Sequence, residues 1–590
     1  MGQTNGSTTK SPARISTESG LSITDMNDIS SLQVLQPESI PNDELISSEN
    51  NRGVFESVGD LLESNLQKPA GLVLFLTFIA SISGFMFGYD TGYISSVLVI
   101  IKDELGGKEL TILEKEYITS ATSFGALIGS LFAGLLADIT GRKPVIILCN
   151  ILFIIGGLCQ YYSVTVTLMI IGRFVQGLGV GCGSLVSPLF ISELSPSKFR
   201  GKLVIFNCLA ITGGQLVAYG IGSLFTNRTN GWRNIIIISI LPSLIQLVSF
   251  IFLPDTPRYL ISKGKFSQAT KILQRIYPNA TLDLIHANVK EISYANGIYY
   301  DYENSDGDEI EDYNNIVYTT NLSTEISKMK QSFTDLIRSK SNIRALIIAC
   351  GLQLFQQLVG FNALMYFSAT IFKMVKYDNA TGVSCIVAGT NFLFTIIALL
   401  IIDRIGRRKI LLISLPLLFL SQILCAVAFK KLDIKIDNPS DKLEFLVRDN
   451  GSVSNDENTW DILIIVGIVS FVAFYALGLG NVPWQQSELF PQSVRGVGSS
   501  FSTATNWTGS LIISSLFLTL MYYLTPSGTF LLFGLVTIFA ILFVYYCYPE
   551  LSGLQLEQVE NLLTDSFNIK ESLTLYRNRK MMESKNYTPI

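Results

Sequence analysis

Two charged residues interrupt runs that are otherwise apolar. Asp90 stands in Gly88-Tyr89-Asp90-Thr91-Gly92, and Arg173 follows Gly172. A charge in mid-membrane costs roughly 2.5–3.5 kcal/mol on insertion scales, so it is rare without a partner or a task. If the first and fourth runs cross in opposite directions, Asp90 lies about nine residues before one membrane surface and Arg173 about eight after it. At about 1.5 Å per residue both sit some 12 Å from that surface. The two can meet. An arginine favours the ionised carboxylate and burial disfavours it, so a movement of Arg173 changes how firmly Asp90 holds a proton. The chemistry this suggests is proton coupling, with Asp90 as carrier; the alternative is a static buried ion pair. The single histidine, His286, falls in what reads as a polar loop, so no histidine relay or histidine metal site is expected.

A second constellation is neutral. Gln356, Gln357, Asn362 and Tyr366 share the seventh apolar run. On an ideal helix Gln356, Asn362 and Tyr366 fall within about 120° of arc, with Gln357 about 100° off the end. Gly360 can kink the run and change that. Each amide offers a donor and an acceptor, which suits ring hydroxyls; the alternative is hydrogen bonding between helices. Gln215, about twelve residues into the fifth run, lies near mid-membrane, where it can face this cluster. Trp484 follows Gly478, Gly480 and Pro483, a broken stretch where an indole can lie on the apolar face of a ring. Asn506 is a further candidate contact. Trp507 beside it fits either the site or an interfacial aromatic belt.

A third set occurs twice. Asp138-Ile-Thr-Gly141-Arg142-Lys143 returns as Asp403-Arg404-Ile-Gly406-Arg407-Arg408-Lys409, and Glu193-Leu-Ser-Pro196 with Arg200 returns as Glu488-Leu-Phe-Pro491 with Arg495. Each copy sits between two long apolar runs. Duplicated basic turns between spans are the mark of a chain built from two similar halves. The basic residues alone would fix topology. The recurrence of Asp138, Glu193, Asp403 and Glu488 beside Arg142, Arg200, Arg407 and Arg495 favours a latch of breakable ion pairs between the halves.

These residues need a membrane scaffold to position them. The 590-residue chain is 48% hydrophobic and only 15% charged, against about 25% charged in soluble domains. Twelve runs read as spans: about 70–98, 117–137, 144–162, 166–190, 203–225, 234–253, 343–371, 383–402, 410–429, 461–487, 498–521 and 529–547. Threaded in order, the basic turns all fall on one side, which the positive-inside rule makes cytoplasmic, so both termini lie inside. The expected organisation is a disordered tail over 1–69, a six-helix bundle over 70–253, a cytoplasmic linker over 254–342 with an acidic segment at Asp301–Asp312, a second bundle over 343–547 and a tail over 548–590. Asn227, Asn379 and Asn450 are glycosylation sequons on the external side. The eight cysteines lie almost wholly inside apolar runs without paired spacing and read as packing residues. No nucleophile–base set, metal cluster, phosphate loop or extended basic patch is present, so an enzyme, a resident cofactor or metal, an ATP-driven pump and a nucleic-acid partner are not expected.

In this order and spacing, Gly88–Gly92, Gly134–Lys143, Gly172-Arg173, Glu193–Arg200, Pro254–Leu260, Gln356-Gln357 with Asn362, Asp403–Arg408, Glu488–Arg495 and Pro549–Glu557 make the chain resemble the sugar porter family of the major facilitator superfamily, from about Leu72 to Glu560. Ile211–Tyr219, Gly480–Pro491, Ala504–Ser510 and Tyr548–Gly553 look most similar to its fungal myo-inositol/proton symporters. The resemblance implies an all-α membrane protein of twelve transmembrane helices in two six-helix halves. It implies import of a polyol, myo-inositol, with protons by alternating access, as a monomer in the plasma membrane. Gln215, Gln356, Gln357, Asn362, Tyr366, Trp484 and Asn506 would hold substrate. Cys208 stands where many hexose carriers of the family have a binding glutamine, seven residues before Gln215, which argues against an ordinary hexose site. A hexose transporter, facilitative or proton-coupled, and a nutrient sensor on the same fold are the alternatives.

Overall fold

The turns that recur in the sequence recur in the structure, and the same physics forms both. In the computed structural model, α1 (Gly71–Ile100), α2 (Ile112–Thr140) and α3 (Arg142–Tyr161) run in succession, and Gly141 alone separates α2 from α3. Gly406 alone separates α13 from α14 (bounds below). Both glycines hold positive φ, 101° and 96°, a region that costs other L-residues roughly 1–2 kcal/mol. Both also face an acid. A Cβ at Gly141 would lie 2.2 Å from Asp255 Oδ2, and one at Gly406 2.6 Å from Glu550 Oε2. The structure describes Leu62 and residues 66–295, 322–375, 377, 379–432, 435–436, 445–446, 455–483, 489–491, 494–552 and 556–585. The acidic segment at 301–312, Trp484, Glu488, Asn450, the Asp403 side chain and most of the 1–69 tail lie outside the described residues.

The remaining elements follow in order: α4 (Val166–Leu194), α5 (Ser197–Phe225), α6 (Gly231–Phe252), α7 (Pro257–Ser262), α8 (Phe266–Ile276), α9 (Leu282–Ala295), α10 (Leu322–Arg338), α11 (Lys340–Leu358), α12 (Phe361–Met374), α13 (Ala380–Ile405), α14 (Arg407–Lys431), β1 (Lys435–Ile436), β2 (Phe445–Leu446), α15 (Asn455–Leu477), α16 (Arg495–Tyr523), α17 (Thr525–Cys547), α18 (Leu556–Leu562) and α19 (Ile569–Lys585). Among the described residues, eleven helical stretches are long and apolar enough to cross a membrane, with Lys340–Met374 counted once. α16 makes the twelfth crossing. It has 29 residues, but Ser499–Ser510 is rich in Ser and Thr, and its polar side is buried rather than turned to lipid. Leu74, Phe78, Phe132, Ile245, Leu400 and Phe539 are exposed instead, as hydrocarbon solvent allows. The one departure from an all-helical chain among the described residues is the antiparallel pair Lys435↔Leu446 and Ile436↔Phe445.

Within the first six crossings α2 packs on α4, α1 on α5 and α3 on α4; in the second, α14 packs on α17 and α15, and α11 on α16. The two sets meet through α2 on α16, α5 on α13 and α1 on α12. The seventh crossing is broken where the sequence allows it. Gly360 sits at φ 90°, and a Cβ there would lie 2.4 Å from the Phe533 ring, so α11 ends and α12 begins on either side of it. Among the described residues, the connection after α6 carries the helices α7 to α10. α8 turns Phe266, Ala269, Ile272, Leu273 and Ile276 into the same core as Val73 and Leu76 of α1. His286 belongs to α9, buried at 6% exposure, and not to a loop. The C-terminal stretch also folds back. Tyr576 and Lys580 of α19 donate to the Arg404 carbonyl, and Ser572 accepts from the Glu550 N–H at 3.1 Å.

Candidate functional site

Asp90 on α1 and Arg173 on α4 form an ion pair, with Arg173 Nη1 donating to Asp90 Oδ1; the residues are 2% and 0% exposed. The same nitrogen donates to the Tyr93 hydroxyl at 3.0 Å, and Arg173 Nε donates to the Ile118 carbonyl at 3.3 Å. Arg173 Nη2 has no hydrogen-bond partner among the described residues. Tyr93 is hydrogen-bonded to Gln160 Oε1 at 2.8 Å and to Gln176 Oε1 at 3.0 Å, and Gln160 Nε2 donates to Gln176 Oε1. The sequence reading missed Tyr93, Gln160 and Gln176. Spacing held a signal: Tyr93 lies three residues after Asp90 and Gln176 three after Arg173, so each shares a helix face with the charge it supports.

The amides converge on Asn506. Its Nδ2 donates to Gln356 Oε1 at 2.7 Å and to Gln353 Oε1 at 2.6 Å, and its Oδ1 accepts from Gln357 Nε2 at 3.0 Å. Across the Gly360 break, Asn362 Nδ2 donates to Gln357 Oε1 at 2.6 Å. Gln356 Nε2 reaches the Leu479 carbonyl at 2.8 Å, and Gln353 Nε2 the Pro483 carbonyl at 3.1 Å. The ideal-helix arc left Gln357 aside; the network includes it because Asn506 and Asn362 come to it from α16 and α12. Gln353, one turn before Gln356, was missed. Such a network can trade bonds one for one with a hydroxylated ring, since each amide can both donate and accept.

Tyr366, 3% exposed on α12, lies near Ser510 of α16 and near Asp90 and Arg173, so it neighbours both the charged pair and α16. Gln215 does not join the amides: its Oε1 accepts from Asn391 Nδ2 of α13 at 2.8 Å. Trp507 is 1% exposed, against Phe87 edge-on at 5.2 Å, and donates to Ser184 Oγ at 3.3 Å. It is therefore buried against the first set and is not in an interfacial belt. Cys208 is half-buried on α5.

At the end bearing the basic turns, the bonds of Arg142, Asp255 and Glu550 each lie within one set. Arg142 reaches Glu193 (Nε 3.0 Å, Nη2 2.9 Å) and Asp138 at 3.1 Å. Glu193 also accepts from Thr256 at 2.5 Å. Asp255 accepts the Lys143 backbone N–H at 3.3 Å, and Glu550 accepts those of Arg407 and Arg408 at 2.9 and 3.0 Å. Each acid thus sits at the positive end of a helix. Burial pushes the Asp255 carboxyl above its ordinary value, opposed by the Thr256 and Lys143 N–H groups and by Arg142. Glu193 is bound to Arg142, while Arg200 stands half-buried at the start of α5 and Arg495 Nε donates to the Phe490 carbonyl at 3.4 Å.

At the opposite end, bonds run between the sets. Ser95 and Ser368 hydroxyls lie 3.1 Å apart, Ser368 donates to the Tyr219 hydroxyl at 3.0 Å, and Tyr219 donates to the Met365 carbonyl. Thr226 donates to Thr381 at 3.3 Å, and Glu116 accepts from Thr519. Asn227 and Asn379 are exposed at this end, Asn379 capping α13 through the Gly382 N–H.

Residues 76–563 match the family described as Sugar (and other) transporter. Myo-inositol transporter 1 of Saccharomyces cerevisiae is 48% identical over 514 residues, covering 87% of this chain and 83% of that protein. Myo-inositol transporter 1 of Candida albicans is 42% identical over 537 residues, covering 91% of each. The solved proton:xylose symporter XylE bound to 6-bromo-6-deoxy-D-glucose superposes with a TM-score of 0.65 at 23% identity, covering 84% of this chain and 100% of that one. That likeness gives the fold, the twelve-helix major facilitator arrangement.

Proposed function

This chain belongs to the family of sugar and other transporters, and we propose that it imports myo-inositol together with protons by alternating access. The observation that carries the reading is the placement of two unlike polar centres side by side. One is a buried ion pair in the first set of helices; the other is an amide network in the second, and Tyr366 neighbours both the ion pair and α16. The polyol is the one that the two yeast relatives, both myo-inositol transporters, are named for.

In this reading Asp90 carries the proton. When it is neutral its hold on Arg173 weakens and the first half can rearrange with substrate bound. Gln356, Gln357, Asn362 and Asn506, with Tyr366 and Trp484, bind the ring. Gln215 holds α5 to α13 through Asn391 and bounds the site. The basic end is cytoplasmic, with both termini, in a plasma-membrane protein; Asn227, Asn379 and Asn450 face outside as glycan acceptors. The hydroxyl contacts between Ser95, Tyr219 and Ser368 then close the extracellular side. The Asp138, Glu193, Asp403 and Glu488 sets exchange partners across the halves to hold the outward-facing state. Uptake of labelled myo-inositol and of glucose into proteoliposomes, with and without an inward proton gradient, tests the reading. Inositol accumulating only with the gradient supports it; glucose accumulating as well as inositol contradicts it.

A further inference from the structure

Glu116 is a buried carboxylate that the transport scheme above does not use. It lies near the start of α2, 0% exposed. Both its oxygens are taken by α16: Oε1 accepts the Thr519 backbone N–H and Oε2 the Thr519 hydroxyl, each at 2.7 Å. Hydrogen bonds to an ionised group are roughly twice as strong as neutral ones. The other described contacts between the sets at this end join neutral groups: hydroxyls to hydroxyls or carbonyls, and the Ala369 N–H to Ser95. The Glu116–Thr519 clasp is thus the strongest described tie across the closed end.

Two residues further along α2, the Ile118 carbonyl accepts from Arg173 Nε at 3.3 Å, and Thr122 Oγ1 donates back to the Arg173 carbonyl at 3.3 Å. α2 and α4 are in close contact here: a Cβ at Gly177 would lie 2.3 Å from the Thr122 carbonyl oxygen. A shift of the Arg173 guanidinium therefore acts directly on the turn of α2 that carries Glu116. We propose that Glu116 transmits the state of the Asp90–Arg173 pair to the gate formed by α2 and α16, so that releasing Arg173 loosens the clasp on Thr519. The proposal rests on the transport reading for its purpose. The charged and titratable groups around these centres are Tyr93 and Tyr366 beside the ion pair, and Lys115, with Lys373 and Glu109 near it, beside Glu116.

The test uses purified full-length protein and needs no substrate, so failure of inositol uptake and failure of the clasp are separate results. Ala369 is 0% exposed, and its N–H donates to Ser95 at the closed end. A cysteine placed there by Ala369→Cys reacts with maleimide only when the gate opens; labelling is measured against the chain without it. Glu116→Ala should label about tenfold faster, equivalent to about 1.4 kcal/mol in the closed-to-open ratio. Thr519→Val should fall between parent and Glu116→Ala. Glu116→Gln keeps both bonds, its carbonyl accepting the Thr519 N–H and its amide donating to the hydroxyl, but loses the charge that strengthens them, and should label between the parent and Glu116→Ala. The labelling rate should vary with pH in the parent and in Glu116→Gln, and be flat in Glu116→Ala. Parent-like labelling in Thr519→Val or Glu116→Ala overturns the clasp. A parent-like pH response in Glu116→Ala overturns the transmission. Monodisperse elution of Glu116→Ala excludes unfolding as the source of faster labelling, and Thr519→Val decides the clasp if Glu116→Ala fails to fold.

Discussion

The two halves of the molecule share their turns and divide their centres. At the basic end, Gly141 with Asp255 and Gly406 with Glu550 repeat the same device: a positive-φ glycine that lets a carboxylate close on a helix N-terminus. In the interior the repeat is lost. The first half holds a charge pair backed by Tyr93, Gln160 and Gln176; the second holds amides gathered by Asn506. The contrast teaches that the duplicated parts are scaffold, where the same backbone problem needs the same answer twice. The diverged parts are where, on the proposed function, each half takes a different chemical role: proton coupling in one and hydroxyl recognition in the other.

The comparison is broken most forcefully at the charge pair. Arg173→Ala leaves a buried carboxylate without its partner, and such losses cost about 3–5 kcal/mol. Uptake should vanish and the thermal midpoint of the purified protein should fall. Combining it with Asp90→Asn should restore much of the midpoint and none of the accumulation. A single variant as stable as the parent would mean that the pair does not hold the first half together.

The second centre should respond more mildly and in a graded way. Asn506→Ala unmakes the hub of three amides, and Gln357→Ala removes one spoke. At about 0.5–1.5 kcal/mol per hydrogen bond, the spoke should cost two- to twelve-fold in myo-inositol affinity, and the hub several times more. Titration calorimetry on the purified variants measures both. Equal affinities in parent and Gln357→Ala would remove Gln357 from the site.

The scaffold comparison is sharpened by a matched pair. Gly141→Ala and Gly406→Ala each put a side chain into a left-handed backbone and against a carboxylate, at about 1–3 kcal/mol of local strain. The two should lower the thermal midpoint by similar amounts and leave inositol affinity unchanged. A large difference between them would break the equivalence of the turns.

The crossings were legible because apolar length and charge placement are properties of one segment at a time. Even the break at Gly360 was visible, since a glycine inside an apolar run marks a possible kink. Partner choice was less so. Depth along the membrane brought Asp90 to Arg173 correctly, because both counts start from one surface. The same count put Gln215 level with the amides, yet Asn391 holds it, since depth says nothing about which neighbour a helix face meets. Glu550 and Asp255 stood in phrases that the sequence singled out, but their capping role depends on chain returning from α17 and α6 to turns far away in sequence. The helix at Ile569–Lys585 was read as tail because its sequence is polar on most sides, and its contacts to Arg404 come from the fold.

The division of labour between the halves is tested most directly by Asp90→Asn in proteoliposomes, with uphill accumulation and substrate exchange of labelled myo-inositol measured on the same preparation. The asparagine mimics the neutral acid permanently. The account predicts that exchange persists while accumulation driven by an inward proton gradient is lost. Asp90→Asn vesicles that still concentrate myo-inositol with the parent's pH dependence would contradict it, leaving the ion pair a structural element and the proton path elsewhere.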